Sequence, residues 1–133
     1  MSFGYTVLGF GSGSSSPYIA ATGGNIATSG DYKVHTFNSS GTFTVTNGSS
    51  DLSSIEYLVI GGGGAGAAGT TEAVTGGAGG GGAGAYRTAT GLAVTAQAYS
   101  ITIGAGAVGS SYAAIGGRAP NGSASSFSTI TSD

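Results

Sequence analysis

Short runs of large apolar residues are spaced along the chain, and each run is closed by glycine, asparagine or serine. In residues 42–46, Phe43 and Val45 share one face of an extended chain and three threonines share the other. This two-residue period is typical of a half-buried β-strand. Residues 31–37 form a second run of aromatic and β-branched residues, and the polar residues 38–41 separate the two. The pattern predicts a β-hairpin with its turn at residues 38–41.

Further runs extend the strand pattern. Residues 55–60, IEYLVI, are apolar on both faces except at Glu56, which predicts a central strand covered on two sides. Residues 99–103 alternate between apolar and polar, as expected of an amphipathic strand. Residues 84–90 and 127–130 are predicted to be two shorter strands. None of these runs shows the period of an amphipathic helix.

Strands without helices predict an all-β fold and exclude parallel βαβ units. We expect a small antiparallel β-sandwich or jelly-roll-like domain with long glycine-rich loops, because glycine tracts occupy residues 61–69 and 76–84. This glycine-rich β domain is expected to span residues 25–133.

Residues 1–24 are predicted to form an N-terminal docking arm. Their apolar residues are separated by the glycine- and serine-rich residues 11–16, so this part of the chain has too little sequence to build a core of its own. The residues expected to dock the arm onto a neighbouring protein are Tyr5, Leu8, Phe10, Tyr18 and Ile19.

Composition narrows the possible partners. The chain has 133 residues, of which 29 are glycine and 6% are charged, and its net charge is -2. Its three lysine and arginine residues are too few for the basic surface that nucleic acid or anionic lipid requires, so neither partner is expected. The absence of cysteine excludes disulfides and thiolate metal sites. We expect no signal peptide and no membrane insertion, because the first apolar run is short and lacks a preceding positive region.

The glycines at positions 64, 66 and 69 match the dinucleotide-binding pattern G-x-G-x-x-G, directly after an apolar run. In a nucleotide site these glycines begin a helix whose amides hold the pyrophosphate, and an acidic residue about 20 positions later holds the ribose. Here no helical pattern follows, and Glu72 comes too early in the sequence. We therefore expect no cofactor.

Catalytic and metal-binding residues are not expected either. His35 is the only histidine and lies within a predicted strand, which is typical of a partly exposed structural residue. A single histidine excludes a metal site built from several histidines, and no pair of carboxylates has a recognisable catalytic setting. The sequence therefore predicts a protein that is not an enzyme.

The glycine tracts allow two interpretations. They could be flexible loops, or their backbone could pack closely against other backbone in an extended or polyproline II conformation. Because ordering glycine costs much conformational entropy, ordered tracts need compensating contacts. We expect such packing between chains at Gly79, Gly80, Gly81 and Gly82, and a homo-oligomer, with a trimer as the expected state.

Five segments in the same order resemble the glycine-rich domain of bacteriophage tail-fibre and related virion proteins. The segments are GDYKVHTFNSSGTFTV (30–45), IEYLVIGGGGAG (55–66), GGGGAGAYRTATG (79–91), YSITIGAG (99–106) and NGSASSFSTI (121–130). The resemblance covers about residues 22–130 and implies a non-enzymatic virion protein that is made in the host cytoplasm. It implies no residue-level binding site.

Three roles remain open. The leading one is a structural subunit of a tail fibre or surface appendage that contacts other virion proteins and contributes to host attachment. The second is a receptor-binding adhesin module whose glycine loops contact a glycan or protein of the host cell surface. The third is a subunit of a cellular extracellular filament.

Overall fold

The computed structural model describes residues 18–47, 54–67, 79–109 and 119–133. These residues form nine β-strands, all paired antiparallel, which confirms the all-β prediction. No helix within these ranges is long and apolar enough to cross a membrane. The strands are β1 (Ala20–Thr22), β2 (Asn25–Ser29), β3 (Tyr32–Thr36), β4 (Gly41–Asn47), β5 (Ser54–Ile60), β6 (Tyr86–Ala93), β7 (Ala98–Thr102), β8 (Ser125–Phe127) and β9 (Ile130–Ser132).

Five strands form one sheet in the order β1-β4-β7-β8-β9. In β4, the predicted alternation places Phe43 and Val45 in the core, where Val45 is 2% exposed. In β7, the predicted alternation buries Ile101, which pairs directly with Phe127 of β8. The interior strands of the sheet therefore follow the apolar pattern of the sequence.

Aromatic rings fill the core. The ring centroid of Phe127 lies 6.0 Å from that of Phe43, 5.6 Å from that of Tyr99 and 6.4 Å from that of Tyr57. Aromatic pairs at such distances contribute about 0.5–1.5 kcal/mol each beyond the area that they bury. Because Tyr57 belongs to β5, this cluster also fixes the β5–β6 pair to the five-stranded sheet.

The first hairpin lies one strand earlier than predicted. β3 pairs with β2, whereas β4 pairs with β1 and β7, so the predicted hairpin between residues 31–37 and 42–46 is wrong. The turn contains Gly30, whose φ of 56° is readily adopted by glycine. β2, with the sequence NIATS, is exposed at every position. A strand without a buried face has no apolar alternation, which explains why the pattern missed it.

The prediction of a central strand at residues 55–60 is also wrong. Among the described residues, β5 pairs with β6 alone, in a two-stranded sheet that packs against β8 and β9. On the covered face Val59 is buried and Tyr57 is half-buried, but Leu58 and Ile60 remain 58% and 57% exposed. In the single chain this apolar run therefore has one covered face.

Two smaller predictions need correction. The run at residues 127–130 is a tight hairpin and not one strand, because β8 ends at Phe127 and β9 begins at Ile130. Ser128 turns the chain with a φ of 53°, without a glycine to mark the position. The strand predicted at residues 84–90 is confirmed as β6, but Gly91 lies inside that strand, at an irregularity in its pairing with β5.

Candidate functional site

Four strands continue beyond the sheets as segments that contain glycine. Residues 61–67 follow β5, and residues 79–85 lead into β6. Residues 103–109 follow β7, and residues 119–124 lead into β8. We call these four segments the glycine bundle. It is built from backbone groups, so its chemistry is that of amides and carbonyls.

Residues 61–67 form the central segment of the glycine bundle. Every third amide of this segment donates a hydrogen bond to the same neighbouring segment, residues 79–85, which runs antiparallel to it. The donor and acceptor pairs are Gly61 with Ala85 (2.8 Å), Gly64 with Gly82 (2.9 Å) and Ala67 with Gly79 (3.0 Å).

Two other amides and one carbonyl of the central segment bond to two further neighbours. The amides of Gly62 and Ala65 donate to carbonyls of the antiparallel residues 119–124, and the carbonyl of Gly63 accepts from residues 103–109. The pairs are Gly62 with Ser123 (2.9 Å), Ala65 with Pro120 (3.0 Å) and Ala107 with Gly63 (2.8 Å).

A period of three residues is that of a polyproline II helix, which has three residues per turn and no internal hydrogen bonds. Such a helix presents its amides and carbonyls in three directions, so one segment can be bonded to three neighbours at once. In a β-strand the period is two, and a strand bonds to two neighbours. The extended segments of the glycine bundle are therefore bonded in three directions and do not lie in the plane of a sheet.

Glycine is required where these segments touch. At several positions a β-carbon would overlap a carbonyl oxygen of the adjacent segment, since the backbones are too close to admit a side chain. These positions are Gly62 (against Ala105), Gly81 (against Gly64), Gly84 (against Gly61), Gly104 (against Ser123) and Gly122 (against Gly62). The described parts of both glycine tracts are thus packed backbone within one chain.

The four glycines predicted to pack between chains have two environments. Gly81 lies against the backbone of the central segment, whereas a β-carbon at Gly79, Gly80 or Gly82 would meet no atom within 4 Å. The carbonyls of Gly79 and Gly82 accept the hydrogen bonds of the central segment on one side. The other side of this segment is open in the single chain, and its contact with another chain remains a prediction.

An open groove of about 390 Å³ runs along the glycine bundle. Glycine and alanine residues form most of its lining, together with Pro120, Asn121 and the carboxylate-bearing residue Asp133. The amide of Gly64, part of the dinucleotide-like pattern, donates to Gly82 and is thus bonded within the bundle. In residues 18–47, 54–67, 79–109 and 119–133 no three histidine, cysteine, aspartate or glutamate residues come together as metal ligands.

His35 lies outside the glycine bundle, as part of β3. Its Nδ1 is 2.8 Å from the carbonyl oxygen of Gly23, and because a carbonyl can only accept, Nδ1 donates this bond. The ring also packs edge-on against Phe43, with centroids 5.1 Å apart. These contacts hold the β2–β3 hairpin to the core.

A hydroxyl with a shifted pKa lies at the start of β7. The hydroxyl of Tyr99 accepts a hydrogen bond from the amide of Thr95 (2.8 Å) and donates one to its carbonyl (3.3 Å). Hydrogen bonding to the side chain of Thr95, then to its backbone, and then to the side chain of Gln97 lowers the pKa of Tyr99. These bonds close the connection between β6 and β7.

A model of the glycine-rich domain family matches residues 36–133. The chain belongs to this family. The matched region of the glycine-rich domain starts at the last residue of β3 and contains all four segments of the bundle. No curated protein and no solved structure shows significant similarity to the chain.

The predicted arm, residues 1–24, lies entirely before the matched region of the glycine-rich domain. Tyr5, Leu8 and Phe10 fall outside the described residues. Tyr18 is half-buried, and Ile19 packs against the core of its own chain. β1 follows directly and pairs with β4, so the described part of residues 1–24 is integrated into the sheet.

Half of the glycine bundle was not predicted from the sequence. The glycine tracts at residues 61–69 and 76–84 were the predicted glycine-rich elements, but residues 103–109 and 119–124 belong to the same bundle. A usable signal exists, because Gly104 comes two residues after the end of β7 and Gly122 three residues before β8. A glycine placed close to a strand end, and not the length of a glycine run, marks these segments.

Proposed function

We propose that this glycine-rich domain is a non-enzymatic structural subunit of a bacteriophage tail fibre or surface appendage. The observation that carries the proposal is the glycine bundle, an extension of four strands that is held together by backbone hydrogen bonds. Such an element gives shape and stiffness and offers no catalytic group. The resemblance of five ordered segments to virion proteins supports the same role.

The proposed subunit is a homo-oligomer, with a trimer as the expected state. Gly79, Gly80 and Gly82 support this assignment, because no described residue of their own chain makes a contact that requires glycine there. Ordering a glycine costs conformational entropy, and at these positions no contact within the described chain requires glycine. Backbone packing with a neighbouring chain would require glycine at these positions.

The experiment is to purify the protein and measure its mass by light scattering during size-exclusion chromatography. We expect a mass close to three times the 12.5 kDa of one chain. Gly80→Val should reduce assembly while leaving the single chain folded, since its side chain enters open space. Ser39→Val, at an exposed serine before β4, is the matched control and should assemble like the parent protein. A monomer at all concentrations, or equal assembly of both variants, contradicts the packing argument.

Location in the virion needs a separate measurement. Mass spectrometry of purified particles and antibody labelling in electron micrographs should find the protein on a fibre or appendage, in contact with other virion proteins. If the protein is instead found on the surface of uninfected cells, the role of a cellular extracellular filament subunit replaces this one.

A receptor-binding adhesin is the second candidate, and the direction of the four segments favours it. Ala67 pairs with Gly79, and Ala65 pairs with Pro120, so both chain connections that leave the bundle do so at one end. Connections gathered at one end of the glycine bundle would suit contact with a glycan or protein of the host cell. Binding of the purified protein to host cells, with loss of binding when residues 68–78 are replaced by a glycine-serine linker, would support this role.

A further inference from the structure

The β5–β6 pair has one uncovered apolar face. Leu58 and Ile60 of β5 lie on it, and the partner of Ile60 across the pair is Tyr86 of β6, which is 68% exposed. Directly paired residues share a face, so these three side chains form a continuous patch next to Thr88, the partner of Leu58. Large apolar patches on a soluble chain mark interaction sites.

The pair also needs support. An isolated two-stranded sheet is marginally stable, and packing on both faces stabilises it. One face already packs on the core through Val59 and Tyr57. The patch formed by Leu58, Ile60 and Tyr86 is therefore where a further contact would stabilise the fold most.

Residues 1–17 have the composition to cover this patch. They contain Phe3, Tyr5 and Val7 at alternate positions, followed by Leu8 and Phe10, and they contain no charged side chain. The patch likewise consists of uncharged side chains, and the exposed Glu56 lies at its edge beside Leu58. An uncharged apolar segment fits an uncharged apolar face without burying a charge.

This segment joins the fold at the sheet edge that lies farther from the patch. β1 is one edge of the five-stranded sheet, while β5 and β6 pack against β8 and β9 at the other edge. Four strand spacings, about 19 Å, separate the two edges. The patch also faces away from the sheet. An extended segment of this length spans about 55 Å, which suffices to reach an adjacent copy.

We propose that residues 1–17 of one copy cover the Leu58–Ile60–Tyr86 patch of a second copy. This inference rests on the proposed homo-oligomer and names one of its interfaces. Each arm then binds the next subunit in a head-to-tail manner, and such an interface forms a ring such as a trimer when the rotation between subunits closes.

Thiol crosslinking tests this arrangement, because the chain has no cysteine. One full-length chain carries Thr6→Cys and one tag, and a second full-length chain carries Thr90→Cys and a different tag. The two chains are mixed, unfolded together and refolded. A short bismaleimide should link the two differently tagged chains. The control replaces Thr90→Cys by Val108→Cys, at a position that is 84% exposed in residues 103–109, and should give at least tenfold less of the mixed product.

A second measurement guards against a failure of the crosslinker. Ile60→Ser with Tyr86→Ser should lower the oligomer fraction at least tenfold, whereas the exposed control Val108→Ser should leave it unchanged. Crosslinking within one chain, in a protein that carries both Thr6→Cys and Thr90→Cys, would overturn the proposal in favour of the chain's own arm. If the parent protein forms oligomers, but no mixed crosslink appears and the patch variants assemble normally, the proposed arm contact is overturned. The proposed function is not affected by that outcome. A parent protein that is always monomeric contradicts both.

Discussion

Glycines that look alike in the sequence differ in their consequences when a methyl group is added. At Gly84 a β-carbon would overlap the carbonyl oxygen of Gly61, whereas at Gly82 it would meet no atom within 4 Å. We expect Gly84→Ala to destabilise the folded chain by about 1–3 kcal/mol, as overpacking does, and Gly82→Ala to change stability by less than about 0.5 kcal/mol. Chemical denaturation of the two variants measures this difference. Equal stabilities would show that the segments do not pack as described.

Leu58 and Phe43 contrast an exposed with a buried apolar residue. Phe43 is 7% exposed and belongs to the aromatic cluster, so Phe43→Ala should cost about 3–5 kcal/mol. Leu58 is 58% exposed, and Leu58→Ala should cost no more than about 1 kcal/mol in the dissociated chain. Urea titrations at a concentration that favours the monomer make the comparison. A cost for Leu58→Ala close to that of Phe43→Ala would restore the idea of a strand covered on both faces.

Tyr99 should ionise at a lower pH than an unperturbed tyrosine. Its hydrogen bonds with Thr95 lower its pKa below the ordinary tyrosine value of 10.0. A group whose pKa is lower in the folded state adds stability above its unfolded pKa, and this addition is lost as the pH falls through the folded pKa. Ultraviolet titration should show a step below pH 10.0 that belongs to Tyr99. Tyr99→Phe should remove that step, and Tyr86→Phe should leave it.

At the scale of elements, the stability of an N-terminally truncated chain should depend on whether β1 is retained. Removal of residues 1–17 leaves β1 in place, so the truncated chain should keep the melting temperature of the dissociated parent chain. Removal of residues 1–24 also takes away the buried Ala21 and the pairing of β1 with β4, and should lower the melting temperature by several degrees. Thermal denaturation followed by circular dichroism compares the two. Identical melting curves would mean that β1 contributes nothing to the sheet.

Elements with one buried face could be predicted from the sequence, and the others could not. β4 and β7 bury alternate residues such as Val45 and Ile101, and their apolar pattern predicts this burial. β2 has no buried face, so no apolar pattern identifies it. Because β2 was not predicted, residues 31–37 were paired with residues 42–46 and not with β2. In β5 the apolar pattern correctly indicated a strand but not its neighbours, since an apolar face has the same composition whether its own chain or another covers it.

The glycine bundle was only partly predictable for a related reason. Packing of bare backbone could be inferred from the entropy that ordered glycine loses. The partners could not be inferred, because a segment without side chains carries no complementary pattern. Gly81 and Gly82 are adjacent and identical in type, yet the first contacts backbone and the second faces open space.

At the scale of the whole molecule, few charges are available to hold subunits together. Only 6% of the residues are charged, so the proposed assembly would depend on apolar contacts and backbone hydrogen bonds. Salt screens charge pairs but not these interactions. We expect the oligomer mass to stay constant when the salt concentration is raised tenfold, as measured by sedimentation velocity. Dissociation in high salt would indicate an interface built on charges.

The three-residue period of residues 61–67 also restricts how this molecule can change in length. Loss of one residue would turn every later amide by a third of a turn, away from its acceptor and toward a different neighbour. Loss of three residues would shorten the segment by about 9 Å and leave the remaining amides in phase. Insertions and deletions in the bundle should therefore be tolerated in steps of three, made together in the bonded segments. The glycine bundle can thus be lengthened or shortened by whole turns of three residues without losing the pairing of its amides and carbonyls.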